Sequence, residues 1–161
     1  MEIITVWLPI DRQAIVDANG DYLRICTNVL FGEQAFRHAK SNRFYSYRLM
    51  VKAPINPITH CKEWMGVCHA DEVFFMFGVG LAEPHKYHHQ LIQMSKETIH
   101  AWTSFAKTGN IGKMDNVNWT DSFANNSTFV QYMYLDPNHY KMSTEHYKQV
   151  CEIFLKDKLL R

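Results

Sequence analysis

The chain has 161 residues, of which 47% are hydrophobic and 20% charged, a composition typical of one globular unit. Lysine and arginine together number 17 against 16 aspartates and glutamates, so the formal net charge is +1. A nucleic-acid or membrane-surface protein normally carries a basic excess, so neither class of partner is expected. The longest apolar run covers residues 73–82. A membrane-spanning helix needs about 20 residues, so no transmembrane segment is expected. The first 25 residues carry dispersed charges, so no signal peptide is expected in this chain.

Hydrophobic spacing in the first half of the chain predicts a mixture of helix and strand. Residues 1–10 fit a short strand or the end of a helix, and 21–40 repeat near the 3.6-residue period of a helix. Residues 43–51 are rich in aromatic and β-branched side chains and predict a strand. Two prolines within 54–57 end that strand, because proline removes a backbone donor. The dense apolar segment 73–77 fits either a strand or a buried helix.

The second half contains the clearest helical pattern. Residues 88–107 carry a broad apolar stripe, and Gly109 stands where a helix C-terminal cap belongs. A long polar loop is predicted over 110–127, followed by a strand over 128–135. Residues 143–160 predict a second amphipathic helix. The elements together indicate a mixed α/β chain.

Histidines are the first candidates for chemistry. His69 lies among small residues, and a neutral imidazole there could move a proton near pH 7. A histidine in such a loop is more often structural, and catalysis requires a nucleophile and an orienting carboxylate nearby. Cys68 is a poor partner because adjacent side chains in an extended segment point to opposite faces. His85, His88 and His89 lack acidic or thiol partners at ligand spacing, so no metal site is predicted.

Four cysteines offer a disulfide framework: Cys26, Cys61, Cys68 and Cys151. They allow three complete pairings, and their spacing alone does not choose among them. No C-x-x-C pair is present, so zinc binding is not indicated.

Three glycosylation acceptor triplets, within eleven residues, begin at Asn118, Asn125 and Asn126. Their clustering in a polar loop favours a secreted or luminal glycoprotein. Asn125 and Asn126 are too close for both to be modified.

Two long motifs resemble a known family. Residues 63–78 read E-W-M-G-V-C-H-A-D-E-V-F-F-M-F-G, and residues 101–110 read A-W-T-S-F-A-K-T-G-N. Both resemble, in the same order, segments of the type-B carboxylesterase and cholinesterase family. Trp119 and the segment 132–135 match positions that follow in that family. The resemblance extends from about residue 17 to the end of the chain.

The resemblance implies an α/β-hydrolase fold, of which residues 1–161 would form a single partial domain at the C-terminal end. Members of this family use a serine nucleophile on G-x-S-x-G, then an acid, then a histidine, in that order along the chain. By position, His69 would be the histidine of that triad. The family's substrate class is small carboxylic esters, and no cofactor is implied.

The same resemblance assigns further residues. It implies a disulfide between Cys26 and Cys151, whereas Cys61 and Cys68 have no counterpart partner in the family. Cys68 is interpreted as a small buried filler. Met65 and Asp71 are candidates for pocket lining, although vertebrate cholinesterases keep an aromatic residue where Asp71 stands.

The glycines are spaced so that G-x-S-x-G does not occur in this chain. The triad acid and the oxyanion loop also fall outside it by the family order. The expected function is therefore that of an ester hydrolase by descent, inactive as this chain alone. The alternative is a fragment of a non-catalytic adhesion or binding protein of the same fold. A homodimer through the C-terminal helix, over 143–160, is a further expectation.

Overall fold

The structure is a computed structural model that describes residues 12–39, 43–56, 58, 60–123, 130–145 and 151–152. The predictions for residues 1–10, 124–129 and most of the C-terminal segment lie outside these residues. Their glycosylation candidates Asn125 and Asn126, and the proposed dimer helix beyond residue 152, therefore stay predictions.

A long helical segment opens the described chain. It comprises α1 (Arg12–Gly20), one π-helical turn (Asp21–Ile25) and α2 (Cys26–His38). The predicted helix over 21–40 is confirmed in its main part, but the helical segment begins nine residues earlier. Only Cys26 is buried among the residues of α2, so most of this segment faces away from the core.

Three strands form the main sheet: β1 (Ser46–Leu49), β4 (Val130–Leu135) and β5 (Lys141–Glu145), in the order β1-β4-β5. β1 runs parallel to β4, with Ser46 opposite Tyr132, and β4 runs antiparallel to β5. The parallel pair requires a long crossover, because the two strands are far apart in sequence. That crossover carries the remaining helices.

The crossover contains α3 (Glu72–Met76), α4 (His89–Thr108) and a short hairpin of β2 (Lys113–Met114) and β3 (Val117–Asn118). One short 3₁₀ turn, Glu63–Met65, precedes α3, and two more, Val79–Ala82 and Pro84–Lys86, lie between α3 and α4. The helix alternative for 73–77 is thus confirmed. The predicted helix over 88–107 is confirmed as well, and Gly109 caps it with φ 69°, a left-handed conformation that glycine adopts without strain.

Two predictions differ from the structure. The polar loop predicted over 110–127 contains the β2–β3 hairpin. The helix predicted over 143–160 is wrong for its first three residues, which belong to β5. The Ser-Thr-Glu sequence there is typical of a helix start, but pairing with β4 satisfies its backbone groups instead.

The core lies where α3 and α4 pack on the sheet. Phe74 and Phe75 of α3 are fully buried, as are Met94 of α4 and Met133 of β4. The backbone at Gly80 packs closely against the Phe74 ring. A methyl group on Gly80 would stand 2.8 Å from that ring, so only glycine fits without a shift. These contacts anchor α3, which directly follows His69, in the interior.

A second buried cluster connects α2 to the sheet. Phe123, Val130 and Tyr132 pack against Phe36, whose ring stacks on Phe123 at 5.1 Å between centroids. The Cys26–Cys151 disulfide also fixes this helix, joining residues 125 apart in sequence in the pairing that the resemblance implies.

Candidate active site

His69 lies in a tight turn between the 3₁₀ turn Glu63–Met65 and helix α3. The residue is solvent-exposed. Ala70, the next residue, is buried and has φ 72°, in the left-handed region that residues with a side chain rarely adopt. Within the turn, the Asp71 backbone N–H donates to the Cys68 carbonyl at 3.2 Å. Such a conformation persists only where surrounding contacts hold it.

Asp71 supplies part of that support. It is completely buried, and its Oδ2 accepts a hydrogen bond from the Cys68 backbone N–H at 2.8 Å. Its Oδ1 accepts a second one, at 2.8 Å, from Nδ2 of Asn56. The carboxylate, considered in the sequence as a candidate for pocket lining, is therefore enclosed within the loop. A buried carboxylate requires such partners, because an unpaired one costs several kcal/mol.

Asn56 joins this turn to a different part of the chain. Its Nδ2 also donates to the backbone carbonyl of His69 at 3.0 Å, and its Oδ1 accepts from the Ile58 N–H at 3.0 Å. No local pattern selects Asn56 as a site residue, since it lies in the proline-containing segment that ends the predicted strand. An asparagine beside a proline indicates a turn, but a bond spanning 13 residues leaves no local pattern.

The carboxyl edge of the sheet leads into the segment that contacts the turn. β1 and β4 are parallel, so their C-terminal residues Leu49 and Leu135 lie at the same edge. The Met50 N–H donates to the Leu135 carbonyl at 3.1 Å, and the chain then continues to Asn56, which donates to the His69 carbonyl. Ligands of open α/β sheets bind beyond the carboxyl ends of the strands. The turn of His69 is therefore connected to the edge where ligands of such sheets bind.

A second disulfide brackets the segment before His69. Cys61 and Cys68 are bonded, and their separation is seven residues. The interpretation of Cys68 as a small buried filler is wrong, because Cys68 is half-buried and bonded to Cys61. The spacing of the two cysteines does not reveal this bond, which depends on how the loop folds back. The bond encloses the 3₁₀ turn that contains Met65, a half-buried residue whose N–H donates to the Lys62 carbonyl at 3.0 Å.

Three large apolar side chains near the turn in sequence are exposed. Trp64 is 49% exposed and Val67 42%, on the segment that precedes His69, and Ile55 is 51% exposed beside Asn56.

The second family-like motif packs on strand β1 through aromatic side chains. Trp102, from the second motif, contacts the Tyr47 ring edge-on at 5.1 Å between centroids, and Trp119 contacts both rings. The Trp119 indole N–H donates to the Ser46 carbonyl at 3.2 Å. Burial, with a smaller effect of the Glu72 carboxylate, raises the pKa of Tyr47 to about 12. Tyr47 is therefore neutral near pH 7 and adds no charge to the site.

Other candidates fall in different places. Asn118 is exposed at the end of β3, and Thr120, the threonine of the same glycosylation triplet, is exposed too. His88 and His89 lie at the start of α4 with their rings 4.6 Å apart. In the described part of the chain, no three histidine, cysteine or acidic side chains are grouped as a metal would need. None of the described helices is long and apolar enough to cross a membrane.

The parallel strand pair joined by a helical crossover makes this a mixed α/β structure, consistent with a piece of an α/β-hydrolase fold. The model of the carboxylesterase family matches residues 9–154, and the chain belongs to that family.

The chain is similar to known lipases and to a known cholinesterase. Bile salt-activated lipase of Rattus norvegicus is 33% identical over 150 residues, which is 90% of this chain and 23% of the relative. Bile salt-activated lipase of Bos taurus is 35% identical over 100 residues, covering 61% of this chain and 16% of the relative. Acetylcholinesterase of Bungarus fasciatus is 35% identical over 101 residues, covering 62% and 16%. The chain therefore spans less than a quarter of the length of these relatives.

Proposed function

We propose that this chain is the C-terminal portion of a serine carboxylic ester hydrolase and supplies its general base, His69. The observation that supports this best is the turn of His69, held by Asn56 from the segment that follows the parallel strand β1, in a chain of the carboxylesterase family. In the proposed reaction His69 takes the proton of a serine hydroxyl as its oxygen attacks the ester carbonyl. It then gives that proton to the departing alcohol, and repeats the sequence with water to release the acid.

The serine, the triad acid and the oxyanion donors of this proposal are supplied from outside the chain. No G-x-S-x-G occurs in its 161 residues. Without a nucleophile and oxyanion donors, the acyl-transfer step has nothing to form or stabilise its tetrahedral intermediate. The chain alone is therefore proposed to be inactive toward esters.

A chimera tests both parts of this proposal. This chain replaces the matched 150-residue segment of the Rattus norvegicus bile salt-activated lipase, and hydrolysis of p-nitrophenyl butyrate is measured. We expect the chimera to hydrolyse the ester and the purified chain to remain at the buffer rate. Hydrolysis by the purified chain would show that the nucleophile lies within it. A folded chimera without activity would support the alternative, a non-catalytic binding protein.

We also propose that the chain belongs to a secreted or luminal glycoprotein. Two disulfides fit an oxidising compartment, and Asn118 is an exposed acceptor. On expression through the secretory pathway of a eukaryotic cell, Asn118→Gln is expected to remove one glycan. The measurement is the mass of the secreted protein before and after deglycosylation. Asn116→Gln, at an exposed asparagine without an acceptor triplet, is the matched control, and an equal mass for Asn118→Gln and the parent would contradict the proposal.

A further inference from the structure

We propose that Asn56 is a positioning residue for His69, holding the backbone of the catalytic turn from a neighbouring segment. This inference depends on the proposed role of His69 as the base. It concerns a residue that lies outside both family-like motifs and donates a hydrogen bond to the main-chain carbonyl of His69.

Three hydrogen bonds carry the inference. One amide group of Asn56, Nδ2, donates to the His69 carbonyl at 3.0 Å and to Asp71 Oδ1 at 2.8 Å. These two acceptors flank Ala70, the residue with φ 72°. The amide therefore spans the one position in the turn where the backbone conformation is unfavourable for its residue type.

The other side of Asn56 is fixed as well. Its Oδ1 accepts the Ile58 N–H at 3.0 Å, which sets the orientation of the amide plane. The preceding segment is tied to the sheet by the bond from Met50 to Leu135. It is tied to the loop before His69 by Lys52, whose Nζ donates to the Lys62 carbonyl at 2.6 Å. Asn56 thus transmits the position of the sheet edge to the main chain of His69.

Asp71 alone would not hold the main-chain carbonyl of His69. Its two bonds hold the Cys68 N–H and Asn56, but neither reaches the His69 carbonyl. With the asparagine amide removed, the peptide after His69 can rotate although Asp71 still holds Cys68. A base displaced by about 1 Å from its proton donor can lose about 100-fold in rate.

Exchanging the side chains of Asn56 and Asp71 distinguishes a role in positioning His69 from a role in folding. In the double variant Asn56→Asp/Asp71→Asn, the amide of residue 71 donates to the carboxylate of residue 56, so the bond between the two side chains is restored. The carboxylate at position 56 now faces the His69 carbonyl, where an acceptor meets an acceptor and no hydrogen bond forms. In the active chimera, we expect kcat to fall about 100-fold, while KM stays within about twofold and the melting temperature remains close to that of the parent.

A second variant covers the case in which the exchange does not fold. Asn56→Ser keeps an oxygen that can accept the Ile58 N–H but removes the amide, and the same loss of kcat is expected. The matched control is Asn28→Ser, an exposed asparagine of α2 whose Nδ2 donates to the Arg24 carbonyl at 2.8 Å, with unchanged kcat expected. Parent-like kcat in either folded variant overturns the proposal. Failure of both variants to fold while the control folds also overturns it, since Asn56 would then be required for folding.

The proposed function and this inference fail in different ways. If the chimera retains its activity when His69 itself is replaced, the role of His69 is contradicted and the inference falls with it. If replacement of His69 abolishes activity but the Asn56 variants keep the parent kcat, only the positioning role is contradicted.

Discussion

Replacement of His69 by glutamine in the chimera is expected to lower kcat for p-nitrophenyl butyrate by at least about 1,000-fold. Glutamine approximates the size of the imidazole and can still form hydrogen bonds. It cannot take a proton from the serine and return it near pH 7. KM should change little, because the interaction lost is made in the transition state. His69 is exposed, so the melting temperature should stay close to that of the parent.

His100→Gln is the matched control for this experiment. His100 is also exposed, but it lies on α4 and outside the turn. The control should keep the kcat of the parent. Retention of more than about a tenth of the activity in the His69 variant would contradict its role as the base, because a triad without its base keeps only a small residual rate. Equal losses in both histidine variants would indicate damage to the fold.

The sequence predicted the elements whose signals are local. The apolar stripe of α4 and its cap at Gly109 appear in the sequence at helical spacing, and the structure has both. β4 is recognisable from its β-forming residues, and it is largely buried as the central strand. In each case the pattern of neighbouring residues is itself what packs against the core, so the prediction needed no knowledge of distant contacts.

Strand β5 shows where local signals fail. The sequence Ser143-Thr144-Glu145 resembles a helix start, and of the three only threonine is a residue that strands favour. Their backbone groups pair with β4, and Tyr132 lies opposite Ser143. A strand at the edge of a sheet derives its conformation from its partner strand, which a window of sequence does not contain.

In the candidate site, too, local sequence predicts some features and not others. His69 was identified from a contiguous motif, whereas its support comes from contacts between segments. The Cys61–Cys68 bond and the bonds of Asn56 depend on how the loop folds back. Asp71 belongs to the motif, but its buried position is a property of the folded turn. The motif therefore indicates the chemistry, and only the structure shows what fixes its geometry.

The two disulfides should differ strongly in their effect on stability. Cys26→Ala/Cys151→Ala opens a loop of 125 residues and is expected to lower the free energy of unfolding by about 5 kcal/mol in the chain-entropy model. Cys61→Ala/Cys68→Ala opens a loop of seven residues, and the same model gives about 2 kcal/mol. Each pair serves as the control for the other, because both variants replace two cysteines by alanine in the same chain.

Urea unfolding of the parent chain and the two variants measures this difference. A larger loss for the 26–151 pair is expected because its bond restricts most of the unfolded chain, whereas the 61–68 bond restricts one short loop. The buried Cys26 and Cys151 also leave space behind when truncated, which adds to the loss at that pair. An equal or smaller loss for the 26–151 pair would contradict this account. It would mean that native contacts around the short loop of His69, rather than restriction of the unfolded chain, dominate the contribution of these bonds.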